Sequence, residues 1–322
     1  MKTLTDLSKC TRLFLLLACL TAIVSCSKED GLPKRVRVGY LPMVSSLTYF
    51  VAVENRYFID EDIEIQATPI KTSNGIAQDL VAGNIDAAIE LSVVPLLKTV
   101  GSDDAKFRIF SVSAITMSNG FDGVLVQSNS SINSLGDLSG KKVGTFPGTT
   151  AIATFSSVFS GLHPGKALPS FTQLDPSVHL QSLASGEVDA LHAYEPTLTI
   201  GVVERGFKKI SSSIYGLQLS PSPIGVAAVN SGWYRKNQNT AKALFRALDK
   251  AVRFIETNPE EARRILAKYT GASQQVTARM NIMPMSESSR IDRKNLQQYF
   301  DKLSSIKETT NTIAAKTVLI AE

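Results

Sequence analysis

Two short sequence patterns occur twice along the chain, and this repetition constrains the fold more than any other feature. The first pattern, at residues 38–46 and 143–150, has a Val-Gly pair, a proline four residues after the valine, and a hydroxyl residue three positions later. The second pattern, Leu-x-x-Gly-x-(Ile/Val)-Asp-Ala, occupies residues 80–87 and 183–190. Because both patterns recur in the same order, at offsets of 105 and 103 residues, the sequence predicts two similarly built lobes.

Each copy of the first pattern has the signals of a strand followed by a helix. Runs rich in β-forming residues at 35–39 and 141–145 predict the strands, and the prolines end them. Hydroxyl residues then precede an apolar helical face, as helix N-caps do. The candidate caps are Ser45 or Ser46 in the first copy and Thr149 or Thr150 in the second.

Each copy of the second pattern predicts the end of a helix and the start of the next strand. Gly83 and Gly186 suit the left-handed backbone position at which many helices end. The strands that follow are predicted at 85–91 and 188–194. Alternation of strands and helices predicts an α/β fold with parallel sheets.

The chain is predicted to leave the first lobe and return to it. Apolar runs at 123–127 and 225–229 are the candidate crossing strands, and a late helix is predicted over 292–303. The predicted organisation is residues 35–122 for the first part of lobe 1, 123–224 for lobe 2, and 225–322 for the return to lobe 1 and the C-terminal helices. Two crossings permit hinge closure around a ligand between the lobes.

Residues 1–25 are predicted to be a signal peptide. Basic residues precede an apolar stretch at 13–24, which is too short to span a membrane. Ile23-Val24-Ser25-Cys26 resembles a bacterial lipobox, so we predict lipidation of Cys26 and a tether over 26–34. This lipid anchor would hold the protein at the cell envelope, on the extracytoplasmic side of a membrane. Lipidation of Cys19 and an ordinary cleaved signal are the alternatives.

Charge and cysteine content argue against several functional classes. The 34 basic residues barely exceed the 29 acidic ones and form no basic block, so we expect no nucleic-acid partner. Because the three cysteines all lie at or before Cys26, the mature chain has no disulfide framework and no cysteine-based metal site. The histidines lack metal-ligand spacing, and the chain has no phosphate-binding loop motif. We therefore predict no cofactor, no metal and no enzymatic activity.

Four segments carry a family resemblance. They are residues 38–58 (strand, proline, hydroxyl cap, helix), the Ala-Gly-x-Ile-Asp-Ala run, the run Ser-Leu-Gly-Asp-Leu-Ser-Gly-Lys-Lys-Val-Gly at 134–144, and Tyr194-Glu195-Pro196. Together they resemble the periplasmic substrate-binding proteins of ABC importers, in the subgroup for sulfonates, taurine, nitrate and thiamine-precursor pyrimidines. The resemblance covers residues 35–272.

This resemblance implies a type II periplasmic binding protein fold. Such a fold has two α/β lobes, each a mainly parallel sheet flanked by helices, with the ligand cleft between them. It also implies a monomer that captures a small polar organic molecule and delivers it to an ABC permease and ATPase. A ligand-sensing receptor on the same fold is one alternative. An enzyme that makes a pyrimidine precursor is another, although the Cys-rich motif of that branch is absent.

The ligand is expected beyond the carboxyl ends of the strands, where open α/β sheets bind small molecules. The repeats mark these ends in both lobes. The candidate ligand-binding residues are Pro42, Met43, Ser45, Ser46, Glu90, Leu91 and Ser92 in lobe 1, Asp122 beside the crossing, and Gly148, Thr149, Thr150, Ala151, Tyr194 and Glu195 in lobe 2.

The candidates differ in the chemistry they offer. The helix start at 148–150 predicts an anion subsite, or a plain helix cap. Glu195 is predicted to bind an amine or a ligand hydroxyl, or to form a hinge salt bridge with Arg205. Glu90 has the same possible ligands, or is buried against a helix end, and Asp122 faces the cleft or caps a turn. Two acids favour a zwitterion or an aminated heterocycle over a bare inorganic anion.

Overall fold

The computed structural model describes residues 34–101, 104–283, 285–310 and 313–320. Arg35–Glu322 belongs to one compact unit. The predicted signal peptide, Cys26 and nearly all of the tether fall on residues 1–33, outside the described residues. Among the helices that the structure describes, none has the length and apolar character needed to cross a membrane.

The described strands form two five-stranded sheets. Along the chain they are β1 (Lys34–Tyr40), β2 (Ile63–Pro69), β3 (Ala87–Ser92), β4 (Phe107–Ile115), β5 (Asp122–Val126), β6 (Lys142–Thr145), β7 (Ser170–Gln173), β8 (Ala190–Tyr194), β9 (Lys208–Ser211) and β10 (Ser222–Asn230). The first sheet has the order β2-β1-β3-β10-β4, and the second has the order β7-β6-β8-β5-β9.

Helices cover both faces of each sheet. Along the chain they are α1 (Leu47–Glu54), α2 (Tyr57–Asp60), α3 (Ser73–Ala82), α4 (Val93–Leu97), α5 (Thr149–Leu162), α6 (His179–Ala184), α7 (Thr197–Val203), α8 (Ile214–Gln218), α9 (Ser231–Lys236), α10 (Gln238–Thr257), α11 (Pro259–Thr270), α12 (Gln274–Arg279), α13 (Arg293–Ser305) and α14 (Ala315–Val318). Short 3-10 turns lie at Val44–Ser46, Leu135–Leu138 and Pro176–Val178. Side chains of α1, α10 and α11 bury one face of the first sheet, and those of α3, α4 and α13 bury the other.

The two-lobed α/β fold is confirmed, and each mainly parallel sheet also contains one strand that runs against its neighbours. In the first sheet β1 pairs with β3 in parallel, whereas β10 runs antiparallel to both β3 and β4. In the second sheet β6 pairs with β7 and β8 in parallel, whereas β5 runs antiparallel to β8 and β9. β10 and β5 are the strands in which the chain enters a sheet from the other one. Each runs antiparallel to the strands on either side of it. The alternation of strands and helices along the sequence did not predict this direction.

Glycine in the repeated Val-Gly pair makes room for a side chain of the second pattern. A Cβ on Gly39 would lie 2.6 Å from Ile85 Cδ1, and a Cβ on Gly144 would lie 3.3 Å from Val188 Cγ2. Ile85 and Val188 hold equivalent positions in the second pattern. The two patterns are therefore parts of one packing arrangement, which is built once in each sheet.

The aspartate of the second pattern binds the strand of the first. The backbone N–H of Arg37 donates to Asp86 Oδ2 at 2.9 Å, and that of Lys142 donates to Asp189 Oδ2 at 2.8 Å. In return, the backbone N–H of each aspartate donates to the carbonyl of the same partner at 2.8 Å. Each aspartate therefore fixes where the pairing of two neighbouring parallel strands begins.

The repeated glycines end helices as predicted. Gly83 and Gly186 have left-handed backbones with φ of 80° and 76°, and they follow α3 and α6. Asn230, at the end of β10, donates its side-chain amide to the carbonyl three residues before Gly83 at 2.8 Å. Gln127, just after β5, likewise donates its side-chain amide to the carbonyl of Leu183, three residues before Gly186, at 2.7 Å. A residue at the end of each crossing strand, or just after it, is thus hydrogen-bonded to the end of a helix that packs against the sheet the strand enters.

The predicted C-terminal helix is confirmed as α13. Its N-cap Asp292 accepts a hydrogen bond from the backbone N–H of Asn295 at 2.9 Å, which satisfies one of the free donors at the helix start. Residues of α13 pack against the first sheet together with Val318 and Leu319, and Leu319 forms a parallel bridge to Ile109 on β4. The C-terminal segment therefore contributes to the core of the first sheet.

We expect the two equivalent aspartates to contribute unequally to stability. Asp86 is buried and also binds the Arg37 guanidinium, whereas Asp189 is exposed. Asp86→Ala should lower the free energy of unfolding by about 2–3 kcal/mol, since the backbone N–H and the guanidinium of Arg37 both lose a charged acceptor. The matched variant Asp189→Ala should cost clearly less, because water can replace its carboxylate. Urea unfolding followed by circular dichroism measures both, and equal losses would contradict this prediction.

Candidate functional site

The carboxyl end of β1 leads into a turn that holds both predicted serines of the first copy. Ser46 Oγ donates to the carbonyl of Leu41 at 2.6 Å, so it does not cap α1, and the predicted side-chain cap is wrong. Ser45 is buried, and its Oγ has no hydrogen-bond partner within the described residues. Pro42 is exposed and Met43 is half-buried in the same turn.

Glu90, at the carboxyl end of β3, is a buried acid in an unusual environment. Its side chain is 1% exposed, and its backbone is left-handed with φ of 57°. Ser113 Oγ donates to Glu90 Oε2 at 2.9 Å, whereas Oε1 has no partner among the described residues. Burial raises the pKa of Glu90 to about 8, although the bond from Ser113 acts in the opposite direction. The carboxyl is therefore mainly neutral at neutral pH.

The surroundings of Glu90 come from strands that are distant in sequence. A Cβ on Gly225 of β10 would overlap Ser113 Oγ and lie 3.0 Å from Glu90 Oε2, so only glycine leaves room for this carboxyl. Leu91 is buried in the core, and the backbone N–H of Ser92 donates to Ser73 Oγ at 3.0 Å. Sequence reasoning missed Ser113 and the role of Gly225, because no pattern links β4 or β10 to the end of β3.

Asp122 is fully buried at the start of β5, where it accepts several hydrogen bonds. Ser213 Oγ donates to Oδ1 at 2.6 Å, and the backbone N–H of Ile214 donates to Oδ2 at 2.8 Å. His192 Nε2, on β8, donates to Oδ2 at 2.9 Å. These bonds cap α8 and connect two neighbouring strands. The sequence left open whether Asp122 faces the cleft or caps a turn. Its contacts are those of a cap, and both carboxyl oxygens already accept hydrogen bonds from the protein.

Glu195 follows β8 and connects two parts of the chain. Thr199 donates to it twice, from Oγ1 at 2.9 Å and from its backbone N–H at 3.1 Å. The backbone N–H of Asn281 donates to Oε1 at 3.2 Å. Burial raises the pKa of Glu195 against the opposing effect of these bonds. Its partners in the described residues are thus Thr199 and Asn281, and the predicted salt bridge with Arg205 is not one of its contacts.

Tyr194 belongs to an aromatic group at the carboxyl end of β8. Its hydroxyl donates to the Tyr215 hydroxyl at 3.2 Å. The ring of Phe146 meets it edge-on with centroids 5.6 Å apart, and His192 stacks at a tilt 5.3 Å away. Burial raises the pKa of Tyr194 above the usual range, so the phenol stays protonated. This group presents apolar ring surface and phenol hydroxyls at the end of the second sheet.

The helix start at residues 148–151 holds a carboxylate that the protein itself supplies. Gly148 precedes α5 with φ of 127°, and no side chain caps this helix. Thr149 Oγ1 and Thr150 Oγ1 donate to Glu308 Oε2 at 3.1 Å and 2.6 Å, and Ala151 is buried behind them. The sequence predicted an anion at this helix end. It did not predict Glu308, which is separated from Thr150 by 158 positions.

Further buried polar atoms have no hydrogen-bond partner within the described residues. They belong to Thr145, Thr154, His192 (Nδ1), Gln218, Ser222 and Glu287 (Oε1). Glu287 Oε1 nevertheless forms an ion pair with Arg290 Nη1 at 3.2 Å. Thr145 is the last residue of β6, and Ser222 is the first residue of β10, which runs antiparallel to β3. Both therefore lie at the sheet edges that the carboxyl ends of the parallel strands define. No three His, Cys, Asp or Glu side chains of the described ranges come together as a metal site.

The arrangement of two linked α/β sheets is that of a periplasmic binding protein. The sequence model of the NMT1-like family matches residues 29–271, which is most of the chain. The protein therefore belongs to the NMT1-like family. No curated protein sequence matches the chain.

Solved structures with the same fold include both binding proteins and an enzyme. The alkanesulfonate-binding protein SsuA from Xanthomonas axonopodis pv. citri, bound to MOPS, is 16% identical, with a TM-score of 0.71 over 90% of this chain and 99% of that one. The periplasmic aliphatic sulphonate binding protein SsuA from Escherichia coli is 16% identical, with a TM-score of 0.72 over 89% and 97%. The C27S mutant of DszB, in complex with biphenyl-2-sulfinic acid, is 15% identical, with a TM-score of 0.67 over 90% and 97%.

The raised pKa of Glu90 predicts a pH dependence of stability. Because the folded-state pKa of about 8 lies above the ordinary value of 4.5, the folded protein binds this proton more tightly than the unfolded chain. The contribution of the Glu90 proton to the free energy of unfolding is complete below pH 4.5, the ordinary pKa of a glutamate. It is lost as the pH rises through the folded-state pKa of about 8. Glu90→Gln cannot ionise, so its free energy of unfolding should fall less between about pH 5 and about pH 8.5 than that of the parent protein. Urea unfolding at about pH 5 and about pH 8.5 measures it, and equal declines in both proteins would contradict the assignment.

Proposed function

We propose that the protein is a solute-binding component of an ABC importer, which captures a small polar organic molecule between its two lobes. The family and the fold support a binding role, but DszB shows that this fold also carries an enzyme. The observation that carries the proposal is Glu90, a buried carboxyl with one oxygen that has no hydrogen-bond partner among the described residues.

Two features of Glu90 lower the stability of the folded protein: a buried oxygen without a hydrogen-bond partner and a left-handed backbone. A buried polar group without a partner costs about 1–3 kcal/mol, and a left-handed backbone at a non-glycine residue costs a similar amount. Such strained residues concentrate at ligand sites, because the surrounding structure holds them ready for contact. Glu90 lies at the carboxyl end of β3, which is where α/β sheets bind ligands.

The chemistry around Glu90 favours a ligand with hydrogen-bonding nitrogen or hydroxyl groups. A neutral carboxyl can donate one hydrogen bond and accept another, which suits an amidine-like edge of a heterocycle or a ligand hydroxyl. Ser45, in the turn after β1, adds a second buried hydroxyl whose bonding capacity is unused. We therefore propose an aminated heterocycle or a related polar organic molecule as the ligand class.

The aromatic group at the end of β8 supplies the other half of the proposed site. Tyr194 and Phe146 offer ring surface against which a planar ligand can pack. We propose that residues 35–122 and 225–322 form one lobe and 123–224 the other, and that they close on the ligand through the two crossings. Glu195, which accepts from Asn281, is part of the connection between the two.

The cellular setting of the proposal follows from the N-terminal sequence. Lipidation of Cys26 would anchor the protein on the extracytoplasmic side of a membrane, with residues 26–34 as a tether. The bound solute would then pass to a permease. A sensor role for the same fold would differ in the partner protein and not in the site.

Ligand binding by the purified full chain tests the proposal. We expect an aminopyrimidine or similar heterocycle to raise the melting temperature saturably in a screen that also contains nitrate, taurine and aromatic carboxylates. Glu90→Ala should weaken binding of the hit at least about tenfold by isothermal titration calorimetry, which corresponds to about 1.4 kcal/mol. The matched control is Glu287→Ala, which removes another buried glutamate, one that is paired with Arg253 and Arg290.

Two results would contradict the assignment. If Glu90→Ala binds the hit as tightly as the parent protein, Glu90 does not contact the ligand. If both variants weaken binding to the same extent, the loss reflects general destabilisation. Conversion of a bound solute into a product, detected by mass spectrometry, would favour an enzyme and contradict the binding-only role.

A further inference from the structure

Glu308 lies in a turn after α13 and makes a dense set of polar contacts. Its side chain is only 6% exposed. One oxygen, Oε2, accepts from Thr150 Oγ1 at 2.6 Å and from Thr149 Oγ1 at 3.1 Å, and it lies 3.2 Å from Lys98 Nζ. Lys98 Nζ also lies 3.4 Å from Thr149 Oγ1. Three polar groups therefore converge on one carboxylate oxygen.

These groups come from separate parts of the fold. Lys98 directly follows α4, which packs against the first sheet. Thr149 and Thr150 form the first turn of α5, which packs against the second sheet. Glu308 belongs to the C-terminal segment that carries α13 and α14. The carboxylate thus connects an element of the first sheet, an element of the second sheet and the tail of the chain.

The partners of Glu308 form a complete set of anion ligands. The start of α5, a helix of 14 residues, has no acidic side chain in its first turn and no side-chain cap. Its free N–H groups and positive dipole end favour an anion. Two threonine hydroxyls and one lysine ammonium complete the set. In this structure the anion at the helix end is a carboxylate of the same chain.

The Glu308 carboxylate acts electrostatically on two buried tyrosines. Tyr299 and Tyr215 both have a pKa raised above the usual range, first by their own burial, and the carboxylate of Glu308 adds to the effect in each. Tyr215 in turn contacts Tyr194, a member of the proposed site. The Glu308 carboxylate therefore lies within electrostatic range of Tyr215, which is hydrogen-bonded to a member of that site.

Glu308 also lies outside the part of the chain that the family model matches. That match ends at residue 271, and the helix start that Glu308 occupies lies within it. The subsite therefore belongs to the family region, whereas its occupant comes from the C-terminal segment.

We propose that Glu308 is a built-in anion that fills the subsite formed by Lys98, Thr149 and Thr150, and thereby excludes ligands that carry a sulfonate or similar anionic group there. This inference rests on the proposed binding function and names the ligand class that the site rejects. An incoming sulfonate would meet a carboxylate already bound to the same donors, and the two negative charges would repel each other. Selectivity of this kind arises from a repulsive group and not only from new attractive contacts.

Removal of Glu308 should open the subsite to small anions. We expect Glu308→Ala to bind methanesulfonate at least about tenfold more tightly than the parent protein in isothermal titration calorimetry. Lys98→Met in the Glu308→Ala background should abolish that gain, because the ammonium is the charged partner of the anion. Glu287→Ala is the matched control, since it removes the same charge from another buried glutamate, and it should give no gain.

A second variant keeps the test decisive if the alanine change disturbs folding. Glu308→Gln keeps the volume of the side chain and an acceptor for the threonine hydroxyls, but it removes the negative charge. It should give a smaller gain of the same sign. Circular dichroism and thermal unfolding establish that each variant is folded before its titration is interpreted.

The outcomes separate this inference from the proposed function. Equal affinity of the parent protein and both Glu308 variants for methanesulfonate would overturn the inference, as would a gain that persists without Lys98. A parent protein that binds a heterocycle while the Glu308 variants gain no sulfonate affinity would support the proposed function and overturn the inference. A gain in the variants, with no heterocycle bound by the parent, would support the inference and count against the proposed ligand class.

Discussion

The architecture depends on one carboxylate in each sheet that binds the backbone of a neighbouring strand. Asp86 fixes where β3 starts to pair with β1, and Asp189 fixes where β8 starts to pair with β6. The adjacent isoleucine or valine fills the space that a glycine leaves. Because the same three interactions occur in both sheets, the strand ends on the opposite edge are also placed alike. The candidate ligand groups are found at those ends.

Local patterns made this part of the fold predictable from sequence. The strands, the left-handed glycines and the C-terminal helix depend on residues a few positions apart. The two glycines are where they were expected, and the strands and the helix begin within three residues of the predicted positions. The direction of β5 and β10 was not predictable in the same way, because strand direction depends on how the chain passes between sheets. Likewise, the serine hydroxyl of the first copy was expected to cap a helix but binds the carbonyl of Leu41 instead.

The candidate site was predicted in outline, but its contacts were not. Sequence position placed Glu90, Tyr194 and residues 148–151 at strand ends, which is where they lie. The identity of their partners depends on tertiary contacts that no periodicity encodes. Ser113 reaches Glu90 from β4, and Glu308 reaches α5 from the far end of the chain. Asp122 illustrates the opposite case, since both of its carboxyl oxygens accept hydrogen bonds from within the protein.

The contact of Glu308 with α5 also bears on how such a protein can diversify. The sheets, the helix start and the lysine beside it lie in the part of the chain that the family model matches, while the carboxylate comes from beyond it. The helix start and the negative charge that occupies it are therefore encoded in separate stretches of the gene. A single codon change in the tail would alter the electrostatic character of the helix end and leave both repeated frameworks intact.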